Sequence, residues 1–191
     1  MGCAEVSERA KYDDIYARNS RYGHDCFGAQ VLPFIESLTD VKTVLDVGTG
    51  CGEFASMMAD RGKKVHAVDM CQAAIDIARR DDRLCCLRAA VPGMGLEGMT
   101  FDLVTAFDLL EHIPEELVES AIHELVAHSK QHVIVSIAWT LSVVCGHNLH
   151  PCMKPREWWM ARLTEACENV VIIRHKPDSA GMFVHLRRNA E

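Results

Sequence analysis

Apolar positions along this chain recur with two periods, and the periods alternate. Phe27, Val31, Ile35 and Leu38 fall at helical spacing, after an amphipathic segment from Val6 to Arg18. Val44 to Val47 then reads as a strand, Glu53 to Arg61 as a helix, Val65 to Asp69 as a strand and Gln72 to Arg80 as a helix. Further strands are expected at Leu84–Ala89 and Phe101–Phe107. Pro114-Glu-Glu starts another helix, because proline and acids suit a first turn, and its expected core face is Leu117, Ala121, Ile122, Leu125 and Val126. His132 to Ala138 is almost wholly apolar, as a strand covered on both faces must be. Two last apolar runs, Val170–Arg174 and Met182–Leu186, flank the turn-rich Pro177-Asp-Ser-Ala-Gly181 and read as an antiparallel hairpin. The pattern predicts an α/β fold, a mostly parallel sheet with helices on both faces that closes in an antiparallel C-terminal hairpin.

The most specific stretch is Val44-Leu-Asp-Val-Gly-Thr-Gly-Cys-Gly-Glu53, a strand entering a turn with three glycines. Glycines let backbone N–H groups approach a ligand, and the helix that follows adds its positive end. Asp69, closing the next strand, can accept both hydroxyls of a ribose, so the pair describes a nucleoside site at the carboxyl edge of the sheet. A dinucleotide fingerprint counted from Gly48 and Gly50 would need glycine or alanine where Glu53 stands. At ~4 Å a carboxylate and a pyrophosphate charge repel by about 4 kcal/mol at an effective dielectric near 20, which disfavours NAD and FAD. S-adenosylmethionine carries no phosphate and suits a neutral or acidic turn.

These residues resemble the first motif, D-x-G-x-G-x-G, of the class I S-adenosylmethionine-dependent methyltransferases, matched here by Asp46, Gly48, Gly50 and Gly52. The resemblance spans Thr43 to Trp139 and implies a Rossmann-like, seven-stranded sheet with S-adenosyl-L-methionine as cofactor. It implies Asp69 as the ribose-binding acid and a cofactor site completed by Met70, Ala89, Ala90 and Asp108. Where the family often has a polar residue for adenine, this chain reads Arg88-Ala-Ala-Val91, leaving backbone groups and packing by Ala89 and Val91. Phe107-Asp-Leu-Leu-Glu-His-Ile113 is similar to the family's segment at the lip of the pocket.

The 191 residues, 49% hydrophobic, are read as one domain: a helical cap at 1–40, a cofactor-binding core at 41–139, and a substrate-side loop, helix and hairpin at 140–191. The longest apolar run, Val133 to Val144, is broken by Ser136, Thr140 and Ser142, so no membrane span is expected. Met-Gly-Cys at the start lacks the Ser or Thr at position 6 that myristoylation requires, and no basic-then-apolar leader is visible. The nine cysteines are odd in number and contain no C-x-x-C, which points to reduced thiols and a cytoplasmic setting. Cys145, His147, His150 and Cys152 crowd four possible zinc ligands into one stretch, but without the two separated pairs of a structural zinc site. A substrate-side loop is the preferred reading.

A sulfonium is already activated, so the protein must align the reactants in line, exclude water and remove a proton when the acceptor is an alcohol. His147 and His150, on the loop after the fifth strand, are the candidate bases, with Asp108 near the reacting centre. The segment from Gly146-His147 to Glu157-Trp-Trp159 is similar to the loop that closes over substrate in small-molecule and sugar methyltransferases. Asp108, Glu111 and His112 with His147 or His150 also resemble the metal cluster of small-RNA terminal-ribose methyltransferases, although that family begins with glutamate. Residues 31–130 hold 17 acids and 9 bases, a net of −8, which gives a polyanion no broad basic face. The expectation is O-methyl transfer, ahead of N-methyl transfer, to a small-molecule or glycan-like acceptor with no metal and no nucleic acid partner. The alternatives are an idle cofactor-binding subunit, the metal-dependent RNA enzyme and, more distantly, a nicotinamide reductase.

Overall fold

The computed structural model describes residues 3–176 and 180–189, with side chains from residue 8 onward. Seven strands form one sheet in the order β3-β2-β1-β4-β5-β9-β8. They are β1 (Thr43–Val47), β2 (Lys64–Asp69), β3 (Leu84–Arg88), β4 (Phe101–Phe107), β5 (Ser129–Ala138), β8 (Asn169–His175) and β9 (Gly181–Arg187). The first five are parallel; β9 runs antiparallel to β5 and β8 antiparallel to β9. The seven-stranded, mostly parallel arrangement is therefore as expected. The expected connection at 177–179 lies outside the described residues, as do Met1 and Gly2.

Period-two alternation sends neighbouring strand residues to opposite layers. Leu45, Val104, Val133 and Val135 pack with Val118, Ile122 and Leu125 of α5 (Glu115–Ala127) and with Trp159 and Leu163 of α6 (Arg156–Ala166). Val44, Leu103 and Ile134 face Ile35 of α2 (Leu32–Glu36) and Phe54 and Met58 of α3 (Glu53–Asp60). A third cluster joins Tyr12 and Ile15 of α1 (Cys3–Arg18) to Ala74 of α4 (Gln72–Ala78), bringing the N-terminal helix over the carboxyl edge of the sheet.

Three sequence expectations change locally. The segment 27–38 is a 3₁₀ turn, Phe27–Val31, followed by α2, because Pro33 has no N–H to continue a helix from Ala29. Val118, not Leu117, enters the core: α5 begins at Glu115, and Val118, Ala121, Ile122 and Leu125 share one stripe that leaves Leu117 exposed at its side. The stretch after β5 is ordered as a hairpin, β6 (Val143–Val144) paired with β7 (His147–Asn148). Its two-residue turn has positive φ at Cys145 (52°) and Gly146 (86°), the geometry favoured between twisted antiparallel strands.

At the opposite edge of the sheet, His132 Nδ1 lies 3.0 Å from His185 Nε2 and both rings are buried. Burial lowers both, His185 to about 4, aided by the neighbouring His132 and Arg187. A histidine kept neutral in the fold takes up its proton preferentially on unfolding, so its contribution is intact above about pH 6.5 and is lost as pH falls toward 4. The expected result is a loss of roughly 2 kcal/mol between pH 7.5 and 5, diminished in His185→Gln; a melting temperature equally pH-dependent in both proteins would assign the effect elsewhere.

Candidate active site

Between β1 and β4 the chain departs to opposite sides of the sheet, leaving a crevice at the carboxyl ends of the strands. A cavity of about 800 Å³ fills it. Its floor is Val47, Gly48, Thr49 and Gly50 after β1, Asp69 and Met70 after β2, Ala89 to Pro92 after β3 and Phe107 to Leu109 after β4. Tyr12 and Tyr16 of α1, together with Tyr22, form the roof, and Ile113, Pro114, Leu117, Val144 and Leu149 give one end an apolar rim.

The glycine turn works differently from the sequence expectation. Gly48 and Thr49 N–H donate to Val68 O at 2.8 and 3.0 Å, Cys51 N–H to Gly23 O at 2.9 Å and Gly52 N–H to Thr49 O at 3.0 Å. Gly50 N–H donates to Asp69 Oδ2 at 3.0 Å. Every turn amide from 48 to 52 is thus engaged within the protein, so the turn offers a ligand closeness rather than donors. Gly48 (φ 73°) brings its backbone against Leu109, where a Cβ would lie 2.9 Å from a methyl. Glu53, expected to repel a pyrophosphate, turns onto His24 Nδ1 at 2.8 Å and is not in the cavity wall.

Asp46 and Gly52, expected to touch cofactor, also stand behind the wall. Asp46 is buried and accepts hydroxyl bonds from Thr49 and Thr105, both at 2.7 Å. Burial raises it to about 6 in spite of those bonds, and its role is to fix the turn. Gly52 (φ 87°) begins α3 and leaves room for Ala78 of α4. Gly48, Gly50, Asp69, Met70, Ala89, Ala90 and Asp108 do line the cavity. Asp69 accepts from Gly50 N–H through one oxygen and from Cys71 N–H, at 2.8 Å, through the other. Burial raises its carboxyl to about 6 against these backbone donors.

The other end of the cavity carries the acid–base groups. Asp108 sits at φ 53°, a left-handed conformation uncommon for aspartate, pinned by its N–H to Ser136 Oγ at 2.9 Å. Its Oδ1 accepts Lys176 Nζ at 2.8 Å, and burial notwithstanding, His112 and Lys176 hold its pKa well below the usual carboxylate range. Tyr12 Oη and His112 Nδ1 are 2.6 Å apart, and burial raises the phenol so that it stays protonated. Among the described residues His112 is the one histidine in the cavity wall.

His147 and His150, the expected bases, are not in that wall. His147 bonds Asp14 Oδ2 of α1 at 2.8 Å, tying the hairpin to the N-terminal helix. His150 is buried, its Nδ1 2.5 Å from Thr140 O, with its ring edge-on to His112. The cluster Cys145, His147, His150 and Cys152 does not converge, since Cys145 lies in a turn and Cys152 in the core. Asp108, Glu111, His112 and His150 do converge, with potential ligand atoms all within 4.8 Å of one another. His147 therefore does not belong to the metal alternative. Glu111 is fully buried; Ala138 N–H meets its Oε1 at 2.5 Å, and burial and Asp108 push its pKa well up. Glu111 Oε2 and His112 Nε2 have no hydrogen-bond partner. This mixed oxygen and nitrogen set has the chemistry to hold a divalent ion, with Thr140 O orienting the His150 ring.

A family model described as a methyltransferase domain matches residues 44–132. Over that stretch the match supports a class I S-adenosylmethionine-dependent methyltransferase domain. Over 98 residues it is 38% identical to the ubiquinone biosynthesis O-methyltransferase of Azotobacter vinelandii, a match covering 44% of this chain and 40% of that protein. The counterpart from Idiomarina loihiensis is 35% identical over 95 residues, covering 44% and 38%. The chain thus spans about two fifths of the length of these curated relatives. The fold superposes on the Synechocystis magnesium protoporphyrin IX methyltransferase with bound SAH at a TM-score of 0.76, with 14% identity and 97% and 99% of the two chains covered. For the N-methyltransferase NodS of Bradyrhizobium japonicum the TM-score is 0.64, with 20% identity and 85% and 94% covered. S-adenosylmethionine is the cofactor of this family. Among the described residues no helix of this chain is long and apolar enough to cross a membrane.

Proposed function

We propose that this chain transfers a methyl group from S-adenosylmethionine to a hydroxyl on a small acceptor with an apolar frame. The observation carrying the reading is one cavity with Asp69 at one end and Asp108 and His112 at the other, under an aromatic roof. Asp69 keeps lone pairs beyond its two backbone donors and would hold the ribose. Gly48 and Gly50 admit the aminoacyl end, and Met70, Ala89 and Ala90 pack on adenine. The bound cofactor would supply an activated methyl. His112 then takes the acceptor's proton, Tyr12 sets the ring's orientation through Nδ1, and Asp108 directs the hydroxyl. The roof tyrosines exclude water. The apolar rim supports an aliphatic or aromatic frame over the glycan-like acceptor, and the O-methyltransferase relatives support oxygen over nitrogen as the acceptor atom.

Calorimetry with S-adenosylhomocysteine and NAD, followed by incubation of labelled S-adenosylmethionine with a metabolite extract, tests this reading. Micromolar binding of the first ligand, with label entering an organic-soluble fraction, is expected. Tighter NAD binding would remove the assignment. A pH dependence follows as well. Ribose hydroxyls donate more strongly to a carboxylate than to a neutral carboxylic acid, so affinity is full above the Asp69 pKa of about 6 and falls below it. Binding of S-adenosylhomocysteine should weaken about tenfold between pH 7.5 and 5, and an affinity flat across that range would place the ribose elsewhere.

A further inference from the structure

The Asp108, Glu111, His112 and His150 cluster brings two carboxylates and two imidazoles into a space where all ligand atoms lie within 4.8 Å. A second feature decides what fills it. Lys176, at the end of β8, is itself buried, and its ammonium lies 2.8 Å from Asp108 Oδ1. Phe27 and Phe183 present their rings to the same ammonium at 5.1 and 5.9 Å, a further site of cation stabilisation. The chain makes room for the lysine stem: a Cβ on Gly181 would lie 2.7 Å from Lys176 Cδ and 2.2 Å from Ile137 O. The backbone holds the start of the side chain, Lys176 N–H donating to Gly181 O at 2.9 Å. An ammonium placed by two rings, a glycine and a main-chain bond is built into the fold.

Charge then separates the two possible occupants. With Lys176 in place, Asp108 already has a cation 2.8 Å from its Oδ1. Adding a divalent ion beside Lys176 would leave the cluster with net positive charge even with both carboxylates ionised. We propose that Lys176 is the resident cation of this cluster, supplying from the protein the positive charge that a divalent ion would otherwise supply, and so positioning Asp108 at the acceptor end of the cavity without a metal. Its consequence for methyl transfer rests on the function proposed above; the exclusion of metal does not. Lys176 is a positioning residue, because it acts through Asp108 and is not in the cavity wall.

The test is a Mn²⁺ titration followed by electron paramagnetic resonance on wild type, Lys176→Met and Lys176→Gln, each checked for fold by melting and for the cofactor site by S-adenosylhomocysteine calorimetry. Wild type should bind no stoichiometric Mn²⁺ and lose no activity to chelator. The neutral variants should gain one Mn²⁺ site, at least about tenfold tighter than any wild-type binding, that disappears again when His150→Ala is added. Their turnover should fall and be restored in part by Mn²⁺. A merely structural lysine would not make removal of its charge create a metal site. One Mn²⁺ bound by wild type and lost in His150→Ala overturns the proposal. So does a folded, cofactor-binding Lys176→Gln that gains no Mn²⁺ affinity. The wild-type titration needs no folded variant, and loss of S-adenosylhomocysteine binding by wild type would count against the proposed function alone.

Discussion

Replacing His112 with alanine is expected to lower methyl transfer by roughly 10²–10⁴-fold while leaving the affinity for S-adenosylhomocysteine within about threefold. The expectation comes from placement: among the described residues His112 is the histidine in the cavity wall, and its Nδ1 lies 2.6 Å from the Tyr12 hydroxyl. Tyr12→Phe should give a smaller fall, because the ring of His112 remains but its orientation is no longer fixed. His147→Ala should change turnover little, since that side chain bonds Asp14 outside the cavity. Transfer of label from S-adenosylmethionine into the acceptor fraction, measured for all three variants, checks the ranking. A loss below about tenfold in His112→Ala would mean that the acceptor gives its proton to water and that alignment alone carries the rate.

The second large effect concerns cofactor affinity. Asp69→Ala should weaken S-adenosylhomocysteine binding by roughly 1.5–3 kcal/mol, about 10–100-fold, because two ribose hydroxyls lose a charged acceptor. The same substitution also strips Gly50 and Cys71 N–H of their partner, so part of the loss should appear as a lower melting temperature without ligand. Asp69→Asn separates the two contributions. Its side-chain oxygen can keep one backbone bond and its shape preserves the turn, yet it offers no charge to the ribose. Stability near wild type with affinity reduced at least about tenfold is the expected signature. Wild-type affinity in Asp69→Asn would move the ribose away from β2.

Much of the fold was legible because its signals are local. The glycine turn after β1, the acid ending β2 and the two-face apolar strand β5 each occupy a few consecutive residues whose conformations are set by their own sterics and hydrophobicity. Helix phase was less secure. Leu117 and Val118 are adjacent and both apolar, and only the docking of α5 on the sheet decided which one is buried. The candidate site divides in the same way. Gly48, Gly50 and Asp69 follow from motif and strand ends, whereas the choice among histidines does not. His112 was visible next to Glu111, but nothing near it in sequence announces Tyr12, which is 100 residues away.

The sequence by itself determined the order of elements, the glycine turn at the carboxyl edge of the sheet and the resemblance to the methyltransferase family. Those depend on periodicity and on backbone positions that few residue types tolerate. The tertiary structure alone decided that Glu53 faces His24, that Asp46 and Gly52 support the turn from behind, that His150 and not His147 joins Asp108, Glu111 and His112, and that Lys176 delivers its charge to them. Lys176 and Asp108 are 68 residues apart, just past the ends of β8 and β4, which β5 and β9 separate in the sheet and whose carboxyl ends reach the same edge only because β9 runs back between β5 and β8. The physical reason is range: backbone preference and hydrophobic period act over a turn or a strand, while charge pairing and cavity walls depend on distances that exist only once the sheet has closed.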